Sequence, residues 1–356
     1  MSVKVGVVKS FAYPGNIDAD ILAIGAEQVP YMRTEWFSVM MLECQSLMLE
    51  FLDCPGGKVI PYTASGTAAM ESCVRSFVAA RKKALVVNGG TFGARWGDLC
   101  RYSGIPYEMF DVEFGKSPDW DRLIKKIKSE TYGTLLIQHH ETSSGYLYDL
   151  NRLAEPCRDH HVALVVDAIS SFLSDPLSMR ALNMDVLILS SQKGLDLPPG
   201  LSFVVLSKPV LAETRFVEGG FYYDWTTTLR NMERGQTPFS PATQLFRQLH
   251  ARLQKIKRWG LGHTLDAVKT RATGFRSICQ ERGWRFSADV QSNGLTGIYL
   301  SRPVQSLVKK LQDNEVYVMP SRHDNMIRVT HNGCLTVADD LELAEEIAKW
   351  EKTENA

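Results

Sequence analysis

The chain has 356 residues, with 40 lysines and arginines balanced by 40 acidic residues. Hydrophobic residues make up 44% and Gly and Pro number 26 and 15. That composition excludes disordered, collagen-like and low-complexity chains and leaves room for roughly two domains. The zero net charge argues against a dedicated nucleic-acid binder, which carries a basic excess. The seven cysteines are odd in number, widely spaced and free of any C-x-x-C. They fit reduced thiols in a cytoplasmic protein better than a disulfide frame. No apolar run approaches the ~18 residues of a membrane span. The stretch from Met1 to Gly15 lacks the order of a charged and then a long apolar region expected of a secretory leader.

Short β-branched runs alternate with helical patterns along the first two thirds of the chain. The patterning predicts strands at 58–62, 84–87, 107–110, 134–138, 162–166, 186–189 and 201–206. Helices are predicted over 67–80, 92–102, 120–129 and 150–160. Near-continuous apolar strands separated by helices point to an α/β fold with a mostly parallel seven-stranded sheet covered on both faces. After about residue 240 the pattern changes. Helices are predicted over 245–259, 264–282, 304–314 and 338–350, with short strands near 297–300 and 327–330. This predicts a large domain over 21–258 and a smaller α+β domain over 259–356. Residues 1–20 fit neither pattern, and a crossover to the small domain is one placement for them.

Three motifs carry chemistry. Thr63-Ala64-Ser65-Gly66-Thr67 follows a strand and opens a helix. Small residues there admit an anion to the helix N-terminus, and two hydroxyls add donors. The plainer reading is a turn with Ser65 as N-cap. Asp167 ends the buried run Val165-Val166-Asp167, where ligands of open α/β sheets bind, although a capping role is as natural by position alone. Lys193 stands just past another buried strand, in Ser190-Ser191-Gln192-Lys193-Gly194. A single lysine in a polar loop is most often a surface residue, but a partly desolvated one forms Schiff bases. Phosphate turn, strand-end carboxylate and strand-end lysine, in that order, are the three parts of a pyridoxal 5′-phosphate site.

With Asn88-Gly89-Gly90-Thr91-Phe92-Gly93-Ala94-Arg95 and His140-Glu141-Thr142-Ser143-Ser144-Gly145, these segments make the chain resemble the class V aminotransferases of PLP fold type I. The 2-aminoethylphosphonate:pyruvate and alanine/serine:glyoxylate branches are the nearest in pattern. The resemblance implies that Lys193 is the Schiff-base lysine and proton carrier and that Asp167 pairs with the ring nitrogen. It implies phosphate binding by Ser65, Gly66 and Thr67, helped by Gln192. Phe92 would stack on one ring face and Ile169 on the other, with Thr142 or Ser143 bonded to the ring hydroxyl. Arg328 would grip the substrate carboxylate, and Tyr13, Arg33, Arg95 and Arg322 are further pocket candidates. Thr237 or Ser240 would reach the phosphate of a neighbouring subunit, so a homodimer is implied.

The expected activity is ping-pong transfer of an amino group from a small donor to a 2-oxo acid such as pyruvate or glyoxylate. The alternative is a lyase, decarboxylase or other biosynthetic enzyme on the same cofactor. His139-His140 and His160-His161 lack companions at zinc spacing, so no metal site is read from them.

Overall fold

The computed structural model describes residues 8–212, 216–217 and 219–353. The seven predicted strands pair into one sheet. Its order is Lys58–Tyr62, Ser202–Leu206, Val186–Ser190, Ala163–Asp167, Thr134–Gln138, Ala84–Asn88 and Tyr107–Asp111. Ser202–Leu206 runs antiparallel to both of its neighbours, and every other pair is parallel. Six strands therefore point the same way, and their carboxyl ends share one edge. Along each strand, alternate residues enter two separate apolar clusters. Leu164, Val166, Leu187 and Leu189 pack on one face, and Val165, Val186 and Ile188 on the other. That double burial is why these strands read as unbroken apolar runs.

The long helix Glu35–Phe51 has no counterpart in the sequence reading. Thr34 caps it by accepting the Phe37 N–H at 3.3 Å. Phe37, Met40, Met41, Cys44, Met48 and Phe51 form its buried stripe at helical spacing. Helices Thr243–Trp259 and Leu261–Glu281 are separated by Gly260 alone, whose φ of 93° suits glycine and breaks the helical path.

A second sheet runs in the order Lys9–Phe11, Val316–Pro320, Met326–Thr330, Leu295–Tyr299 and Arg285–Phe286. Lys9–Phe11 pairs in parallel with Val316–Pro320, so the start of the chain joins a sheet formed by its last third. Neither of these two strands was predicted, because each buries a single side chain, Phe11 and Val318 respectively. A buried Arg271–Asp340 pair at 2.7 Å ties helix Leu261–Glu281 to the closing helix Val337–Lys352. All seven cysteines are unpaired, with six buried and Cys334 exposed. Among the described residues, no helix is long and apolar enough to cross a membrane.

Candidate active site

The sheet topology explains why distant motifs meet. Ser65 follows the first strand of the order above, Lys193 follows Val186–Ser190, and Asp167 ends its own strand. The hairpin His140–Glu141/Tyr146–Leu147 follows Thr134–Gln138, and Thr91–Tyr102 is the helix after Ala84–Asn88. All five lie at the shared carboxyl edge, where open α/β sheets bind ligands.

Asp167 is buried, and its Oδ1 accepts the Ile169 N–H at 2.8 Å. The other carboxylate oxygen takes no hydrogen bond from a described residue. Burial, with help from the nearby Glu141 charge, raises the Asp167 pKa from 3.8 to about 7. Lys193 is half-buried, and its Nζ finds no hydrogen-bond acceptor among the described residues. It stands 3.7 Å from the centre of the Tyr13 ring. Tyr13 is itself fixed, its hydroxyl lying 3.0 Å from the Gly294 carbonyl and 3.1 Å from Asn332 Oδ1. Burial first, and then the Arg328 charge, lowers the Lys193 pKa from 10.5 to about 7. Both groups therefore change their protonation state near neutrality, far from their ordinary ranges.

Ser65 occupies the N-cap position of helix Gly66–Ser76, yet its side chain makes no capping bond. The hydroxyl is left over for another acceptor, beside N–H groups that have no partner within the helix. A Cβ on Gly66 would lie 2.5 Å from Ile169 Cδ1, so the turn closes tightly against that side chain. Arg95 reaches in from the next helix and donates to Thr67 Oγ1 at 3.1 Å, with its guanidinium 4.7 Å from the centre of the Phe92 ring. Gln192 Oε1 accepts from Ser190 Oγ at 2.6 Å.

Glu141 was not singled out by sequence. Its fully buried carboxylate accepts from the N–H groups of Phe92 (3.2 Å) and Gly93 (3.1 Å), Gln138 Nε2 (2.8 Å) and Ser143 Oγ (2.5 Å). It caps helix Thr91–Tyr102 and so fixes Phe92 and Arg95. Ser143 Oγ also accepts the Thr91 N–H, while the Thr142 hydroxyl pairs with Ser170 Oγ at 2.6 Å. The available signal was an acid two residues before Ser143, but its partners in helix Thr91–Tyr102 lie 48 to 49 residues away in the chain.

The second sheet closes the pocket. Arg328 donates through Nη1 to the Thr142 carbonyl (2.9 Å) and through Nη2 to the Pro320 carbonyl (2.7 Å). Its Nε is buried without a partner. A cavity of about 140 Å³ opens between Arg328, Arg322, Phe92 and Ser143. His140 donates through Nδ1 to the Ser170 carbonyl at 3.1 Å, which leaves Nε2 a buried acceptor without a partner. Burial lowers the His140 pKa to about 3, so the ring is neutral.

Thr237 and Ser240 lie on a loop that borders Thr63 at the start of the small-residue turn, and the Ala242 N–H donates to Thr63 Oγ1 at 2.9 Å. Thr237 is buried and donates to the Phe239 carbonyl at 2.7 Å, whereas Ser240 is exposed. Arg33 holds this loop through Gln236 Oε1 and the Thr237 carbonyl, both at 2.8 Å. No hydrogen bond or ring contact joins Arg33, Thr237 or Ser240 to Lys193 or Asp167 among the described residues.

Residues 31–254 match the family model described as aminotransferase class-V. The chain belongs to the class-V aminotransferase family. It is 31% identical over 249 residues to the soluble hydrogenase 42 kDa subunit of Anabaena cylindrica, a match covering 68% of this chain and 64% of that protein. It is 30% identical over 221 residues to a 2-aminoethylphosphonate–pyruvate transaminase of Pseudomonas putida, covering 61% and 60%. The chain thus matches less than two thirds of the length of these curated relatives. A solved aspartate aminotransferase of subgroup IV from Thermus thermophilus superposes with a TM-score of 0.87 at 25% identity, covering 95% of this chain and 97% of that one. The fold is the type I fold expected from the sequence.

Within this class-V chain, Gly194 is a point where one methyl group has a large consequence. A Cβ there would lie 2.0 Å from the Phe172 carbonyl oxygen. The backbone must move to admit it, and Lys193 moves with it. Gly194→Ala is expected to lower stability by about 1–3 kcal/mol and to displace the neighbouring Lys193. Chemical denaturation checks the first effect, and the reactivity of the Lys193 amine toward an acylating reagent checks the second.

Proposed function

We propose that this class-V chain is a pyridoxal 5′-phosphate-dependent transaminase. The observation that carries the reading is the placement of Lys193 and Asp167 at one sheet edge beside a helix N-terminus whose cap hydroxyl is uncommitted. The buried atoms without partners, Arg328 Nε and His140 Nε2, border the same region and suit a ligand rich in polar groups. The residues fit the cofactor.

When bound, the cofactor supplies an aldehyde for a lysine and an electron sink for charge left at the substrate Cα. The chain supplies the rest. Lys193 would hold the aldehyde through its Nζ, and as a free amine it would move the proton at Cα. Asp167 keeps a proton on the ring nitrogen. Ser65, Gly66 and Thr67 hold the phosphate with Gln192, and Arg95 adds positive charge beside them. Phe92 and Ile169 flank the ring. The Thr142 and Ser143 hydroxyls already have protein partners, so a bond from either to the ring hydroxyl is a shared one. Thr237 or Ser240 serves the neighbouring subunit of a homodimer.

The donor is a small amine of the 2-aminoethylphosphonate or alanine/serine kind, and the acceptor is a 2-oxo acid such as pyruvate. Arg328 holds the acid group, since its planar fork suits bidentate binding. Arg328→Ala is expected to raise KM for the oxo acid about 10- to 100-fold, which steady-state kinetics checks. The cofactor assignment is tested by borohydride reduction of the loaded protein and peptide mapping. A phosphopyridoxyl mass on Lys193 supports it, and the same mass on another lysine contradicts it.

A further inference from the structure

The opposite edge of the large sheet holds a cavity of about 600 Å³ that the proposed transaminase chemistry does not use. Ala163 and Asp185, at the amino ends of two parallel strands, and Ser207, just past the antiparallel strand, line it. Those parallel strands end at Asp167 and lead to Lys193, so ~15 Å of sheet separates the cavity from the active-site edge. The volume lies in the range of sites for small organic ligands, roughly 300–1,000 Å³.

Its chemistry is uneven. Met179, Met184, Cys54 and Cys157 give it an apolar, sulfur-rich floor. Soft thioethers adapt to flat, polarisable groups. Arg81, Arg158, Arg180 and Lys208 give it four cations, against Asp185 as the one acid in the lining. The Asp185 carboxylate accepts the Leu164 N–H at 2.7 Å. Arg158 and Arg180 share their charge with Asp159 and Asp53, at 3.0 and 2.8 Å. Arg81 lies over the Phe77 ring at 3.5 Å.

Lys208 forms no ion pair with a described residue. Its stem rests against Gly56, where a Cβ would come within 3.0 Å of Lys208 Cδ. Ser207 Oγ is buried without a hydrogen-bond partner. An apolar floor, a cationic rim and an unused hydroxyl together describe one kind of ligand. We propose that this cavity is a second binding site, separate from the active site, for an organic anion with a flat apolar body.

The test uses the purified protein with its cofactor and two fluorescent probes. They are 1-anilinonaphthalene-8-sulfonate and N-phenyl-1-naphthylamine, which is the same body without the anionic group. The sulfonate is expected to bind one equivalent per chain, at least about tenfold more tightly than the neutral probe. Lys208→Glu and Arg158→Glu, both at exposed positions, should each weaken the sulfonate at least about fivefold and leave the neutral probe unchanged. Lys193→Ala should change neither. Displacement of the sulfonate by adenosine monophosphate assigns a phosphate head group, and displacement by benzoate a carboxylate. Equal binding of the two probes, sulfonate binding that ignores both charge reversals, or displacement by neither competitor overturns the proposal.

Discussion

Lys193→Ala is expected to lower amino-transfer turnover by about 10²- to 10⁴-fold while leaving the fold intact. The side chain is half-buried and its Nζ bonds to no acceptor, so its removal strands no buried partner. What disappears is the amine. With its pKa lowered to about 7, that amine is largely uncharged at pH 8 and ready to take a proton. Lys193→Arg should not rescue turnover, because a guanidinium stays protonated. Rapid-mixing measurement of the first half-reaction, with circular dichroism of each variant, separates lost chemistry from lost structure.

Asp167→Asn is expected to trade activity for stability. Asp167 holds its proton in the folded chain up to about pH 7, against an ordinary value of 3.8. Between those values the folded chain binds more protons than the unfolded one. The stability that this group contributes is therefore present below about pH 4 and is lost as the pH rises through 7. Lys193 acts in the opposite sense, because its folded value lies below its unfolded value of 10.5. Its contribution is present above about pH 10 and is lost as the pH falls through 7. From these two groups, the cofactor-free protein should be least stable near neutrality. An amide at position 167 removes the ionised buried group, and at pH 8 it should stabilise the cofactor-free chain by up to about 4 kcal/mol. Turnover should fall at least about 100-fold, because an amide cannot hold a proton on the ring nitrogen. Denaturant unfolding from pH 4 to 9, beside turnover at pH 8, reads both effects. A variant that is less stable at pH 8 would contradict the reading of Asp167 as a strained functional acid.

The parts of the site legible in the sequence are those fixed by the ends of buried strands. Ser65, Asp167 and Lys193 each follow an apolar run. A sheet with six strands in one direction gathers such positions whatever the loops between them do. The parts that were not legible depend on side chains meeting across the fold. Glu141 caps a helix that begins 50 residues earlier in the chain, and Arg95 bonds Thr67 from a different helix. No local pattern encodes either contact. The same holds for Lys9–Phe11, which pairs with a strand some 300 residues away and buries one side chain in doing so. Helix Glu35–Phe51 was legible in principle. Its methionine-rich stripe has helical spacing, and Thr34 caps it.

The most direct measurement is product formation by a stoichiometric amount of loaded protein, with 2-aminoethylphosphonate, alanine and serine offered in turn and no oxo acid present. The account predicts that at least one donor yields carbonyl product to a plateau of one equivalent per chain, and that turnover resumes when pyruvate or glyoxylate is added. Continued turnover of a donor without an acceptor would make the protein a lyase or decarboxylase. No product from any donor, even with an acceptor present, would contradict the proposed transamination itself.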